Sequence, residues 1–550
     1  MADKKQTFDF VIIGAGSAGC VLANRLTEDE GISVLLLEAG PEDTKPEIHI
    51  PMAQGFNLGT ELDWQYKTVP QKHACFAMKD NRAIWNKGKV LGGSSSINGM
   101  QYVRGCKEDY DSWARLGAEG WSYDEVLPYF LKSENNTNEE YLKTEYHNKG
   151  GPLTVSDVTP TCKFSQVVME AAKELGLPVK DVNNGIDQIA FNYFQATIKD
   201  GKRCSTAVAF LNPAKMRANL TVWTETLATI IRIVFEEKKA TAVEFLKSGE
   251  NDIVYVNKEV IVSAGSVASP QLLMLSGVGP KAHLEEMGIP VLCDLPVGEN
   301  MQDHIMIIMR NHGSGGGIAK DCLTTNAIEV AGFIKTKEDI PWPDIQVFYS
   351  PFYNFGPNEK EISNYADEFD EALEFTESKE KIAEREGLHF MPGLLHPKSV
   401  GDLKLKSRNP LDDPLIDPHY LEDPDDVKTM IGGVRFIQKL TGTKAFRDFG
   451  ITPTYFKFDN CPYEVDSDQY WEHVVRHLTL TIWHVCGTCK MGAKDDRKAV
   501  VDPSLRVRGL DNVRVVDASV MPHITSGNIN APVIMIGEKG ADLIKQDLWS

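Results

Sequence analysis

Six residues near the N-terminus, Gly14-Ala15-Gly16-Ser17-Ala18-Gly19, have the types and spacing to hold a dinucleotide. Glycines at the first, third and sixth places allow a tight turn, close backbone approach to a pyrophosphate and tight helix–strand packing. The N-terminus of the helix that follows would aim its free amides and positive dipole end at the diphosphate. Glu38, 24 residues after Gly14 and followed by Ala39, can accept from both hydroxyls of an adenosine ribose and would repel a 2′-phosphate, so NADP is disfavoured. The motif alone does not separate NAD from FAD. A second cluster, Gly88-Lys89-Val90-Leu91-Gly92-Gly93-Ser94-Ser95-Ser96-Ile97-Asn98, offers small residues and free amides where a chain must pass close to a planar ligand. Cys486-Gly487-Thr488-Cys489 is a C-x-x-C without the second ligand pair that zinc needs, and is read as packing.

The elements around these residues fit the chemistry. Phe8 to Ile13 is an uninterrupted apolar run, as a buried parallel strand requires; a helix over Cys20 to Leu26 and a second strand over Ile32 to Leu37 complete a βαβ unit. Residues 41–150 read as irregular apart from a helix at Tyr123 to Ser133. Helices are predicted at Phe164 to Leu175 and Ala207 to Met216, paired strands over Val222 to Leu246, and a buried strand at Lys258 to Ser263. Phe333 to Tyr353 is strand-rich, Asn364 to Glu386 is an acidic insertion, and the chain ends on a strand at Val513 to Val516 and a helix from Ala531 to Lys545.

At 550 residues the chain should form more than one domain. A formal charge of -20 excludes a nucleic-acid face, and no apolar run is long enough to span a bilayer. No metal site is expected. Ten scattered cysteines and a short polar N-terminus without a signal or transit pattern suit a cytoplasmic enzyme.

The second glycine cluster resembles the first signature of the glucose–methanol–choline (GMC) oxidoreductases. Gly265-Ser266-Val267-Ala268-Ser269-Pro270-Gln271-Leu272-Leu273-Met274-Leu275-Ser276-Gly277-Val278-Gly279 resembles the second. Val297 to His304, Trp483 to Gly492 and Val516 to Pro522 are also similar to family segments, in the family's order, with most likeness to the branch holding choline dehydrogenase and insect glucose dehydrogenase.

This resemblance implies an α/β fold: a Rossmann-type FAD domain from residues 1–157, 217–310 and 477–550, and a substrate domain with an antiparallel sheet from 158–216 and 311–476. It implies FAD contacts from Gly14, Gly16, Ser17, Ala18, Gly19, Glu38 and Ala39, from Val90, Gly92, Gly93, Asn98 and Gly99, and from Asp517, Ala518, Asn528, Asn530 and Pro532. The final helix would aim its N-terminus at the flavin. Choline oxidases of the family join a histidine covalently to the flavin where this chain has Ile97, so non-covalent FAD is expected.

The resemblance also places His484 in the catalytic-histidine position, with Asn528 as its partner. The chemistry is FAD-dependent oxidation of an alcohol by hydride transfer to flavin N5. An imidazole can take the hydroxyl proton as general base, and a carboxamide can donate to the developing alkoxide. The rival for Asn528 is a helix N-cap, and His523 is the fallback base. Glu329 aligns with an acid that binds the trimethylammonium head in choline-oxidising relatives, and Phe348, Tyr349 and Phe352 could complete a cation pocket. The substrate is a choline-like, sugar or other primary alcohol, with oxygen or a quinone-like acceptor. The alternatives are a hydroxynitrile-lyase type of enzyme that keeps FAD as scaffold, a non-catalytic flavoprotein binding module, and an NAD-dependent dehydrogenase.

Overall fold

The computed structural model describes the chain except residues 1–5, 160–162, 226–229, 248–249, 314–327, 352–373, 376–385 and 550. The first strand, β1 (Thr7–Ile13), and the next, β2 (Val34–Leu37), flank the helix α1 (Ser17–Leu26). Phe10, Val11, Ile12, Val34, Leu35 and Leu36 have no exposed surface, because a parallel sheet carries helices on both faces. Leu220–Trp223, β2, β1, the C-terminal half of Glu250–Val262 and Val513–Val515 run parallel, one beside the next. The hairpin Ile230–Glu236 and Lys239–Lys247 extends this sheet antiparallel along the other half of Glu250–Val262. Segments far apart in sequence thus build one seven-stranded sheet.

The second sheet has eight strands and is antiparallel throughout. Its order is Thr452–Thr454, Met309–Gly313, Glu386–Leu394, Ile345–Ser350, Val330–Ile334 and Phe191–Tyr193, with Ile305–Met306 bridging Glu386–Leu394 to Leu480–Thr481. The helix Pro424–Thr441 packs on it through Val427, Met430, Val434 and Ile437, spaced to share one face. Gly433 admits the close approach: a Cβ there would stand 3.0 Å from Pro392 Cβ on the sheet. The sequence reading leaves this helix out, although Asp423 caps it by accepting the Asp425 amide at 2.9 Å and Pro424 opens its first turn.

Ala207 to Met216 departs from the expected helix. It forms a π-helical turn at Ala207–Leu211 and a short α-helical turn at Asn212–Ala214. Pro213 has no N–H to continue an i→i−4 ladder, which favours the break. The acidic insertion lies almost wholly outside the described residues, as does Phe352. Among the described residues, no helix is long and apolar enough to cross a membrane.

Candidate active site

The glycine turn closes as its spacing demands. Gly14 has φ +99°, and a Cβ on it would meet the Ser263 carbonyl at 2.5 Å; a Cβ on Gly19 would sit 1.9 Å from the Gly14 carbonyl. Gly16 meets nothing within 4 Å, because it faces a cavity of about 680 Å³. The Glu38 carboxylate lines the same cavity and accepts the Ala15 and Gly40 amides, each at 2.9 Å. Burial pushes its pKa up to about 7.

The second glycine cluster packs on the first. The Gly92 amide donates to the Ala15 carbonyl at 2.8 Å, and a Cβ on Gly93 would meet Gly16 Cα at 2.7 Å. Asn98 is held from behind: its Oδ1 accepts from Arg203 at 2.8 Å and from the Met100 amide at 2.9 Å. Ser17 and Asn530 open α1 and the terminal helix Asn530–Trp549, and their side chains bond at 2.7 Å, so two helix N-termini meet at the cavity wall. Neither first turn carries an acid. Asp517 accepts the Gly265 amide at 2.8 Å at the start of a third helix, Gly265–Leu275.

An FAD-sized ligand fits these residues. Amide-rich helix ends face the cavity, and the lining Gln54 Oε1 and Ser266 Oγ are buried atoms with no hydrogen-bond partner among the described residues.

His484 lines the same cavity. Trp483 before it has φ +60°, a left-handed turn that directs the imidazole inward. Asp303 locks the turn by accepting the His484 amide at 2.8 Å and the Thr481 hydroxyl at 2.6 Å, while Lys87 bonds the Trp483 carbonyl. His484 Nε2 lies 3.3 Å from Asn528 Nδ2, and Gln346 Nε2 donates to Asn528 Oδ1 at 3.2 Å. Asn528 therefore spends its amide on His484 and Gln346, and the helix begins two residues later, which removes the N-cap reading. Burial, then the neighbouring His304 and Lys87, hold the His484 pKa well below the usual imidazole value.

Several expected residues stand elsewhere. Glu329 has no exposed surface, bonds Ser165 and is absent from the cavity wall; its neighbour Ile328 takes that place, since alternate residues of an extended chain face opposite ways. Val90, Gly92 and Pro532 also sit behind the wall: Val90 packs with Ile48, Leu62 and Ile97, Gly92 serves the Ala15 carbonyl, and Pro532 is buried in the helix's first turn. Gly19 is a packing glycine rather than a contact. His523 is not in the wall either. Cys486 and Cys489 are buried thiols. His304, Gln346, Lys87 and Arg203 were not singled out from sequence, although His304 ends the quoted Val297-to-His304 segment.

A nucleotide-binding parallel sheet joined to an antiparallel sheet, with one imidazole and one carboxamide paired in the wall of the shared cavity, defines a flavin-dependent oxidoreductase architecture. The chain belongs to the GMC oxidoreductase family, whose N-terminal model matches residues 8–306 and whose C-terminal model matches 397–537. It is an FAD-dependent oxidoreductase of that family. It is 39% identical to alcohol dehydrogenase [acceptor] of Pseudomonas putida, covering 98% of this chain and 95% of that protein. It is 38% identical to the mitochondrial choline dehydrogenase of Homo sapiens, covering 100% and 92%. Pyridoxine 4-oxidase from Mesorbium loti superposes with a TM-score of 0.84 at 28% identity, covering 98% of this chain and 99% of that structure.

Proposed function

We propose that this GMC oxidoreductase oxidises apolar primary alcohols, with His484 taking the hydroxyl proton and Asn528 steadying the alkoxide. The observation that carries the reading is the His484–Asn528 pair at 3.3 Å, lining the same cavity as the dinucleotide-binding glycine turn. Gly14, Gly16, Ser17, Ala18, Glu38 and Ala39 would hold the adenosine diphosphate half of FAD. Gly93, Asn98, Gly99, Asp517, Ala518 and Asn530 would hold the flavin half. FAD bound there supplies the acceptor for the hydrogen and two electrons that leave the carbinol carbon, and an external acceptor then removes them. His484 Nε2 is the proton acceptor because burial keeps the imidazole neutral. Asn528 Nδ2 donates toward the oxygen without competing for that proton. The N-terminus of the terminal helix favours negative charge beside it.

The alcohol's class follows from the wall around the pair. Met306, Ile308, Ile328, Phe348, Met391 and Ile482 line it with apolar surface, and Arg310 adds one charged side chain to the cavity wall. Glu329, the expected anchor for a quaternary amine, is turned away. Such a wall favours a hydrocarbon or aryl substituent, each buried CH₂ contributing about 0.8 kcal/mol.

An anaerobic screen of linear alcohols, aryl alcohols, choline and sugars, read as bleaching of flavin absorbance, tests this. Apolar alcohols should bleach the flavin at the lowest concentrations. Choline or glucose working best would contradict the substrate class, and a cyanohydrin cleaved without bleaching would return the lyase alternative.

A further inference from the structure

A histidine can act as a base only from a nitrogen that carries no proton, and a neutral imidazole has one such nitrogen and one N–H. Which is which depends on the partner of the other ring nitrogen. For His484 that partner is a second imidazole: His304 Nδ1 lies 2.9 Å from His484 Nδ1, with the rings nearly perpendicular at 83°. His304 is fully buried, and its other nitrogen, Nε2, lies 2.9 Å from the Leu395 carbonyl.

The His304 ring has two backbone carbonyl partners, Leu395 and Thr525, and a carbonyl only accepts; the 2.9 Å contact of Nε2 with Leu395 places the proton of His304 on Nε2. His304 Nδ1 is then bare and must accept. His484 Nδ1 must donate to it, which leaves His484 Nε2 bare, on the side of Asn528 and the cavity. The amide end agrees: with Gln346 donating to Asn528 Oδ1, Asn528 Nδ2 donates toward His484 Nε2.

We infer that His304 is a positioning residue: it carries the Leu395 carbonyl's demand for a proton through to His484 and fixes the tautomer whose Nε2 carries no proton and can take the alcohol's in exchange for its hydrogen bond from Asn528. This rests on the reading of His484 as the base. Burial supports it, since it pushes the His304 pKa down to about 3 and keeps that ring neutral; protonated, it could not accept.

The test uses FAD-loaded enzyme labelled with ¹⁵N-histidine, with the His484 resonances identified by their loss in His484→Ala. Wild type should show His484 with Nδ1 protonated and Nε2 bare. His304→Leu removes the acceptor and should shift that tautomer, lowering the anaerobic flavin-reduction rate on the order of 10²-fold with little change in alcohol affinity. His304→Gln, which can accept and donate at once, should restore both. A proton on His484 Nε2 in wild type overturns the inference, and that measurement stands even if His304→Leu fails to fold. So does an unchanged tautomer in His304→Leu. A His484→Ala enzyme that reduces flavin at the wild-type rate instead overturns the base reading, and with it the catalytic meaning of the tautomer, while leaving the proton assignment intact.

Discussion

A side chain's protonation state decides what it can do, and burial sets that state for His304 and His484. Both have pKa values below 6.5 in the folded chain, so the unfolded chain binds more protons as pH falls below 6.5. Their contribution to stability is therefore present at neutral pH and lost as pH falls below 6.5, for His304 down to about 3. Thermal or denaturant unfolding of wild type and His304→Gln, compared from pH 7 to pH 5, should show wild type losing ground by up to ~1.4 kcal/mol per pH unit below 6.5. Parallel curves would mean that His304 takes up its proton in the fold as readily as in the unfolded chain. Ile97 gives a second prediction at this scale: it lines the cavity and cannot bond a flavin covalently, so acid precipitation should leave the yellow colour in the supernatant. Colour retained in the pellet would refute non-covalent FAD. His484 and Asn528 were legible only through multi-residue likeness, because one histidine among 13 carries no signal of its own. Glu329 was misplaced because alignment fixes a position along a strand; which face it takes follows from pairing, here of Val330 with Tyr349 and Tyr193.

Among the elements, the βαβ unit and the two glycine clusters were readable from residue type, since a Cβ would collide at Gly14, Gly19 and Gly93. What could not be read is that the clusters touch. Gly19→Ala places its Cβ against the Gly14 carbonyl, where backbone must yield. It should cost several-fold or more in FAD retention, measured as the flavin-to-protein absorbance ratio after gel filtration; full occupancy would contradict the packing account. The Pro424–Thr441 helix was missed despite its Asp423 cap and four evenly spaced apolar residues. By contrast, Tyr123–Ser133 was delimited by its own signals, with Ser122 and Glu125 forming a capping box. The π turn at Ala207–Leu211 is a tertiary feature: Thr206 beside it bonds Ser95 of the second glycine cluster at 2.9 Å.

For the whole molecule, the first sheet draws β1 and β2 from the N-terminus, Glu250–Val262 from the middle and Val513–Val515 from near the end, an assembly that local pattern suggests without giving its order. That assembly brings Ser17 to Asn530, and His484 to Asn528 and His304, at one cavity. At this cavity, on the function proposed above, the His484 imidazole takes the proton of the alcohol being oxidised. The most direct measurement is single-turnover flavin reduction, mixed anaerobically with the best alcohol, in wild type and His484→Ala matched for FAD content. The variant should bind FAD normally and reduce it 10²- to 10⁴-fold more slowly, the range a general base contributes. Reduction at the wild-type rate with normal FAD content would contradict that role of His484.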